Sequence, residues 1–207
     1  SRSSTVKPEN TIFVHERAIN ESDSVGSGTR IWAFAHVMKG ATVGADCNIG
    51  EGCYLEEGCV IGDGVTLKNG VSVWAGVTIG DFAFVGPNAV FTNDRYPRSP
   101  RAPVARSRYA NESWCEPTHV GEGASIGANA TVLCGNSIGR YATVAAAALV
   151  TGNVADHALV AGVPAKPRGF VCRCGQTLRD DGNTCAACGS VFRRHDDGLE
   201  WVGYGKT

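Results

Sequence analysis

Aliphatic or phenylalanine residues recur every six positions along most of this chain. Steps of six from Phe13 land on Ile19, Val25, Ile31, Val37, Val43, Ile49, Leu55, Ile61, Leu67, Val73, Ile79, Val85 and Phe91. After a break the spacing resumes at Val120, Ile126, Val132, Ile138, Val144 and Val150. Neither the helical period nor simple strand alternation produces a step of six. A β-helix of hexapeptides does. Each hexapeptide forms one short strand and a corner, and three of them close a triangular coil of about eighteen residues. The anchor side chain then points into the prism. The fourth position after the anchor is also restricted, reading Thr29, Ala35, Ala41, Cys47, Cys53, Cys59, Val65, Val71, Val77, Ala83 and Ala89. Small residues suit a narrowing corner, so Cys47, Cys53 and Cys59 read as buried thiols acting as small apolar groups. Glycine directly after many anchors, such as Gly44 and Gly127, reads as relief of crowding where the backbone turns. The expected fold class is all-β, a parallel β-helix.

Composition narrows the functional classes. The formal net charge of −1 supplies no field for recruiting nucleic acid. No apolar run approaches the ~18 residues of a membrane span, and no apolar stretch follows Ser1–Ser4 as in a signal peptide. Nine cysteines placed in repeat slots and close pairs point to a reducing, cytoplasmic setting. A chain of 207 residues suits one domain with a small appendage. The change of composition places the division at 1–168 and 169–207.

Two interruptions carry the candidate chemistry. Residues 93–117 hold five arginines and no hexapeptide period, and are expected to project as a loop. Such a loop within a repeat is functional or disordered. Asn93 and Asp94 stand at its start, at an outward corner. An amide and a carboxylate there can orient an amine, or they can simply begin the turn. Positions eighteen apart share a face, so Lys39, Glu57, Ala75 and Asn93 form one ledge, and His36, Tyr54, Ser72 and Val90 another. His36 then lies about three coils, ~14 Å, from the loop. It is a solvated corner histidine or a contact for a long ligand. Trp32, Phe34, Trp74 and Phe82 fall on outward slots, where large aromatics mark contact surfaces.

The second interruption is Cys172-Arg-Cys174-Gly followed ten residues later by Cys185-Ala-Ala-Cys188-Gly. Two close pairs, each followed by glycine, read as two knuckles of a closed four-thiolate zinc site in a small ribbon-like module. Two disulfides or a redox pair are the alternatives. The segment is too short for a core of its own, so metal would supply its folding energy.

The hexapeptide pattern over residues 13 to about 168 resembles the left-handed β-helix acyltransferases. The stretch LKNGVSVWAGVTIGDFAFVGPNAVFTNDRYPRSP (67–100) is similar to the N-acetyltransferases acting on nucleotide-linked 3-amino sugars, the dTDP-3-amino-3,6-dideoxyhexose and UDP-3-amino-uronate enzymes. The run Phe91-Thr92-Asn93-Asp94-Arg95-Tyr96-Pro97-Arg98 matches the former branch. The resemblance implies a left-handed coil, acetyl-CoA as cosubstrate and a homotrimer with sites between subunits. It implies catalytic roles for Asn93 and Asp94 at the amine, and sugar-nucleotide contacts for His36, Arg95 and Arg98. GASIGANATVLCG and GVPAKPRG match the family's coenzyme A half, which places the pantetheine groove at Ala128 and Ala146 and phosphate contacts at Lys166 and Arg168. The departing thiolate takes the final proton, with His119 as the fallback base. Three features depart from the family pattern: AAAALV (145–150) is expected to narrow the groove, Asn136 brings an amide into an inward slot, where it needs partners, and the cysteine-rich tail lies outside the repeat that defines the family's core. A non-catalytic scaffold, a 4-amino-sugar acceptor and a longer acyl donor remain as alternatives.

Overall fold

The computed structural model describes residues 11–178, 183–195 and 198–205. Residues 13–161 wind into a triangular β-solenoid of about eight coils. Its three sides, here called A, B and C in the order the chain visits them, are parallel sheets of short strands. Side A begins at Phe13–Val14, side B at Ile19–Asn20 and side C at Thr42–Val43. Residues eighteen apart pair across coils: Arg30 with Asn48, His36 with Tyr54 and Thr42 with Val60. Beyond the loop the pairs are Val77 with Thr118, Phe84 with Ser125 and Val90 with Thr131. The loop therefore adds twenty-three residues to one coil without disturbing the ladder. The anchors from Ile31 to Val150 are buried, and so is every corner residue from Thr29 to Ala89. Burial pushes the Cys53 thiol up to about 11 and the Cys59 thiol up to about 12, as expected of inert core groups.

The first coil breaks the expected register. Phe13 pairs with Arg30 and Ile19 with His36, seventeen apart. Phe13 and Ile19 therefore face outward at 45% and 54% exposure, while Val14 and Asn20 lie beneath Ile31 and Val37. The cause is a five-residue step from Asn20 to Val25, and in a pleated strand one residue reverses the facing of every side chain. At the other end the last coil is short by two, pairing Ile138 with Val154 and Val144 with Val160. The chain then turns back as Lys166–Phe170, antiparallel to Ala158–Ala161, which covers the edge of side A. This return strand runs through residue 168. Among the described residues no helix is long and apolar enough to cross a membrane.

Trp74 is not an outward surface aromatic. It is half-buried against the core, with its indole N–H donating to the Phe91 carbonyl at 2.9 Å. Trp32, Phe34 and Phe82 are exposed as expected. Asn136 satisfies its buried amide by donating to the carbonyls of Leu133 and Cys134 at 2.8 and 3.3 Å. The tail is an antiparallel hairpin, Ser190–His195 with Gly198–Tyr204. It docks on the last coils through His157, whose ring stacks on Tyr141 and meets Phe192 edge-on. Burial keeps that imidazole below its usual range.

The glycine after the anchor has a different cause from the one expected. Gly127 has no positive φ, but a Cβ there would stand 2.4 Å from the Ala146 backbone nitrogen of the next coil. Close stacking of coils, rather than a turn, excludes a side chain. Gly127→Ala should destabilise the protein by about 1–3 kcal/mol, the usual cost of overpacking, as read from denaturant unfolding. An unchanged midpoint would mean that the coils separate freely there.

Candidate functional site

The loop 93–117 leaves the corner between sides B and C. The predicted ledge is present: Asn93 Nδ2 donates to the Ala75 carbonyl at 3.3 Å, one coil below. Within the loop, Pro103–Tyr109 and Glu112–Trp114 form 3-10 turns. Two carboxylates hold the loop together from within. Asp94, with its side chain only 10% exposed, pairs with Arg108. Its Oδ1 also accepts the Tyr96 N–H at 2.9 Å, and its Oδ2 accepts the Tyr109 hydroxyl at 2.7 Å. Partial burial pushes the Asp94 carboxyl up, but the bonds from Tyr109, the Tyr96 N–H and Arg108 outweigh it and hold the group below the usual carboxylate range. Arg95 donates from Nε to both oxygens of Glu116 at 3.0 and 2.8 Å, and from Nη2 to the Cys134 carbonyl at 2.9 Å.

Arg95 is thus engaged at the base of the loop, by Glu116 and by the Cys134 carbonyl of the next coil. Arg98 is exposed, with its guanidinium on the Pro97 carbonyl at 2.8 Å. His36 stands on the outer face of side B, in register with Tyr54, Ser72 and Val90. Its Nε2 lies 3.0 Å from Glu21, and its ring meets Tyr54 edge-on. Sequence reasoning missed Arg108 and Tyr109, which lie in an aperiodic stretch where only basic and aromatic character was visible.

The residues expected around a coenzyme do not all meet. Ala128 and Ala146 sit at the corner between sides A and B, in register one coil apart. Asn93 and Asp94 lie at the opposite edge of side B, about six residues of extended chain or ~20 Å away. Lys166 lines a cavity of about 730 Å³ at the upper end of the solenoid, which Ala128, Ala146 and Arg168 do not line. Arg168 is the extra residue at an irregularity in the return strand. Arg194 of the tail hairpin faces the same cavity as Lys166, and nothing in the local sequence singles it out.

Cys172, Cys174, Cys185 and Cys188 converge, with all four sulfurs within 4.8 Å of one another and none in a disulfide. Two of the pairs, Cys172–Cys188 and Cys174–Cys185, stand at 3.4 and 3.7 Å. Four sulfurs at ~2.3 Å around one tetrahedral ion would lie ~3.8 Å apart, so the cluster fits a metal ion. Gly175 and Gly189 close the knuckles at φ 87° and 73°, donating to the Cys172 and Cys185 carbonyls at 2.8 and 2.9 Å. Arg173, between two of the cysteines, lies over the Tyr141 and Trp201 rings at 4.9 and 4.5 Å and ties the cluster to the solenoid.

Residues 24–57 and 58–93 match the family described as bacterial transferase hexapeptide (six repeats), and residues 117–151 match the hexapeptide repeat of succinyl-transferase. The curated dTDP-3-amino-3,6-dideoxy-alpha-D-galactopyranose 3-N-acetyltransferase of Aneurinibacillus thermoaerophilus is 44% identical over 187 residues, covering 90% of this chain and 93% of that protein. The chain belongs to the hexapeptide-repeat transferases. Another structure with this fold is that of the N-acyltransferase AntD from Bacillus cereus, solved with dTDP and coenzyme A. It aligns with a TM-score of 0.53 at 20% identity over 78% of this chain and 82% of that one. The acetyltransferase domain of PglB from Neisseria gonorrhoeae aligns with a TM-score of 0.48 at 21% identity, and this transferase spans 57% of its length.

Within the transferase, the Asp94 cluster predicts how the loop is held. Asp94→Asn removes the charge that pairs with Arg108, so trypsin should cut at Arg101 or Arg106 several-fold faster while the solenoid stays folded. Equal cleavage rates in the two proteins would show that the loop is fixed by other contacts.

Proposed function

We propose that this chain transfers the acetyl group of acetyl-CoA to the 3-amino group of a dTDP-linked 3-amino-3,6-dideoxyhexose. The observation that carries this reading is the 44% identity across 90% of the chain to a relative named for that reaction. Acyl transfer needs an uncharged amine, a positioned thioester and donors for the developing oxyanion. In this reading Asn93 and Asp94 hold the amine. A carboxylate kept ionised by three donors is a weak base but a good acceptor, and Asp94 Oδ2, with one bond made, has a lone pair left for an amine N–H. Asp94 therefore orients the amine, and the departing coenzyme thiolate takes the proton. His36 and the exposed Arg98 face the sugar nucleotide, while Arg95 positions the loop through Glu116.

The separation of Asn93–Asp94 from Ala128 and Ala146 by the whole of side B supports a site assembled from two copies. We assign a homotrimer, with the acceptor corner of one subunit facing the coenzyme groove of the next, working in the cytoplasm. The four cysteines are assigned a structural zinc ion. A closed thiolate set leaves no open position for catalysis, and the metal would reinforce the small core that the tail, against expectation, builds from Cys172, Cys185, Phe192 and Leu199.

Mixing the protein with acetyl-CoA and a panel of nucleotide-linked amino sugars, with thiol release as the readout, tests the reading. Turnover should be fastest with the dTDP-linked 3-amino isomer, and no release with any member of the panel would overturn acyl transfer. Asn93→Ala should lower kcat/KM roughly tenfold to a few hundredfold, the effect of one lost hydrogen bond to the amine, with an unchanged melting temperature. Full activity would remove Asn93 from the site. Metal analysis should find about one zinc per chain, and stripping it with a chelator should unfold the tail while the solenoid's far-ultraviolet signal persists. An ordered tail without metal would refute the zinc assignment.

A further inference from the structure

The cavity at the upper end of the solenoid is bounded by two units that sequence reading kept apart. Its floor is the upper end of the core, including the buried Val150 and Val154, and Phe170 of the return strand forms one wall. Asn153 supplies an amide. The two charged residues lining it are both cations, Lys166 of the return strand and Arg194 of the tail hairpin. Among the described residues no carboxylate lines it, although the chain carries 20 Asp and Glu against 19 Lys and Arg. Neither cation makes an ion pair among the described residues. The Arg194 guanidinium lies 5.3 Å from the Phe170 ring centroid, which presents its donors along an apolar wall.

Apolar walls with two cations that make no ion pair among the described residues suit a flat aromatic group that carries phosphates. The volume of about 730 Å³ admits a nucleotide. We propose that Arg194 is a binding residue for the adenosine 3′-phosphate 5′-diphosphate end of coenzyme A, acting with Lys166 from the other side of the cavity. The proposal rests on the acyl-transfer reading above for the identity of the nucleotide. It gives the cysteine-rich tail a part in the reaction: a metal-ordered hairpin that carries one of the phosphate contacts. An arginine fork grips a phosphate in two directions, so its contribution falls on affinity rather than on the chemical step.

Calorimetric titration of the full-length, zinc-loaded protein with adenosine 3′,5′-bisphosphate and with coenzyme A tests this, alongside steady-state kinetics. Arg194→Ala should weaken both ligands roughly ten- to a hundredfold, in line with a lost charge-assisted contact. It should raise KM for acetyl-CoA with kcat unchanged, and Arg194→Lys should recover part of the loss. Arg193→Ala, whose native side chain pairs with Glu200 instead, should bind like the unmodified protein. Unchanged affinity in Arg194→Ala, or an equal loss in Arg193→Ala, would overturn the proposal while leaving acyl transfer standing. Failure of the unmodified protein to bind coenzyme A would overturn the acyl-transfer reading itself and this assignment with it.

Discussion

Strand pairing that sets residues eighteen apart side by side decides where every other group in this protein can be. Once Arg30 pairs with Asn48 and His36 with Tyr54, each coil must place an aliphatic side chain directly over the one beneath it. The next backbone then comes close enough to exclude a Cβ at Gly127. Such a stack is stabilised coil by coil, each contacting only its neighbours. Errors are local for the same reason. One residue missing between Asn20 and Val25 turns Phe13 and Ile19 outward, and the coils above keep their register.

That constraint also sorts the chemistry. A residue's place is fixed by two coordinates, its coil and its corner. Asn93 and Asp94 share a corner with Ala75 and Glu57, while Ala128 and Ala146 share another. No local rearrangement brings the two sets together within one chain. An insertion at a corner leaves the ladder intact, so the solenoid tolerates the loop but does not position it. Its geometry depends on contacts of its own, the Asp94–Arg108–Tyr109 cluster and the Arg95–Glu116 pair. Asp94 pins the loop through Arg108 and Tyr109, and the bonds it accepts hold its carboxyl below the usual range.

The ends of the stack raise a separate problem, because a coil with no neighbour exposes core and unpaired strand edges. At the upper end the short last coil, the return strand and the cysteine-rich hairpin answer it together. Arg173 and His157 join the hairpin to Tyr141, and the junction leaves a cavity lined by core residues and two cations.

The sequence by itself determined the coil period, the anchors from Ile31 to Val150, the burial of Cys47, Cys53 and Cys59, the projecting loop and the grouping of four cysteines. These follow from spacing, and spacing survives in one dimension because neighbouring coils repeat the same environment. The slipped first coil was less visible, since Phe13 and Ile19 satisfy the six-residue rule although they point to solvent. Tertiary structure alone decided that Trp74 is half-buried, that Arg95 turns to Glu116, that Asp94 is held by Arg108 and Tyr109, and that Arg194 lines the same cavity as Lys166. The reason is physical: an arginine's partner is set by which carboxylate, carbonyl or empty space lies within reach of a long flexible side chain. Where the chain leaves its repeat, no period in the sequence records that distance.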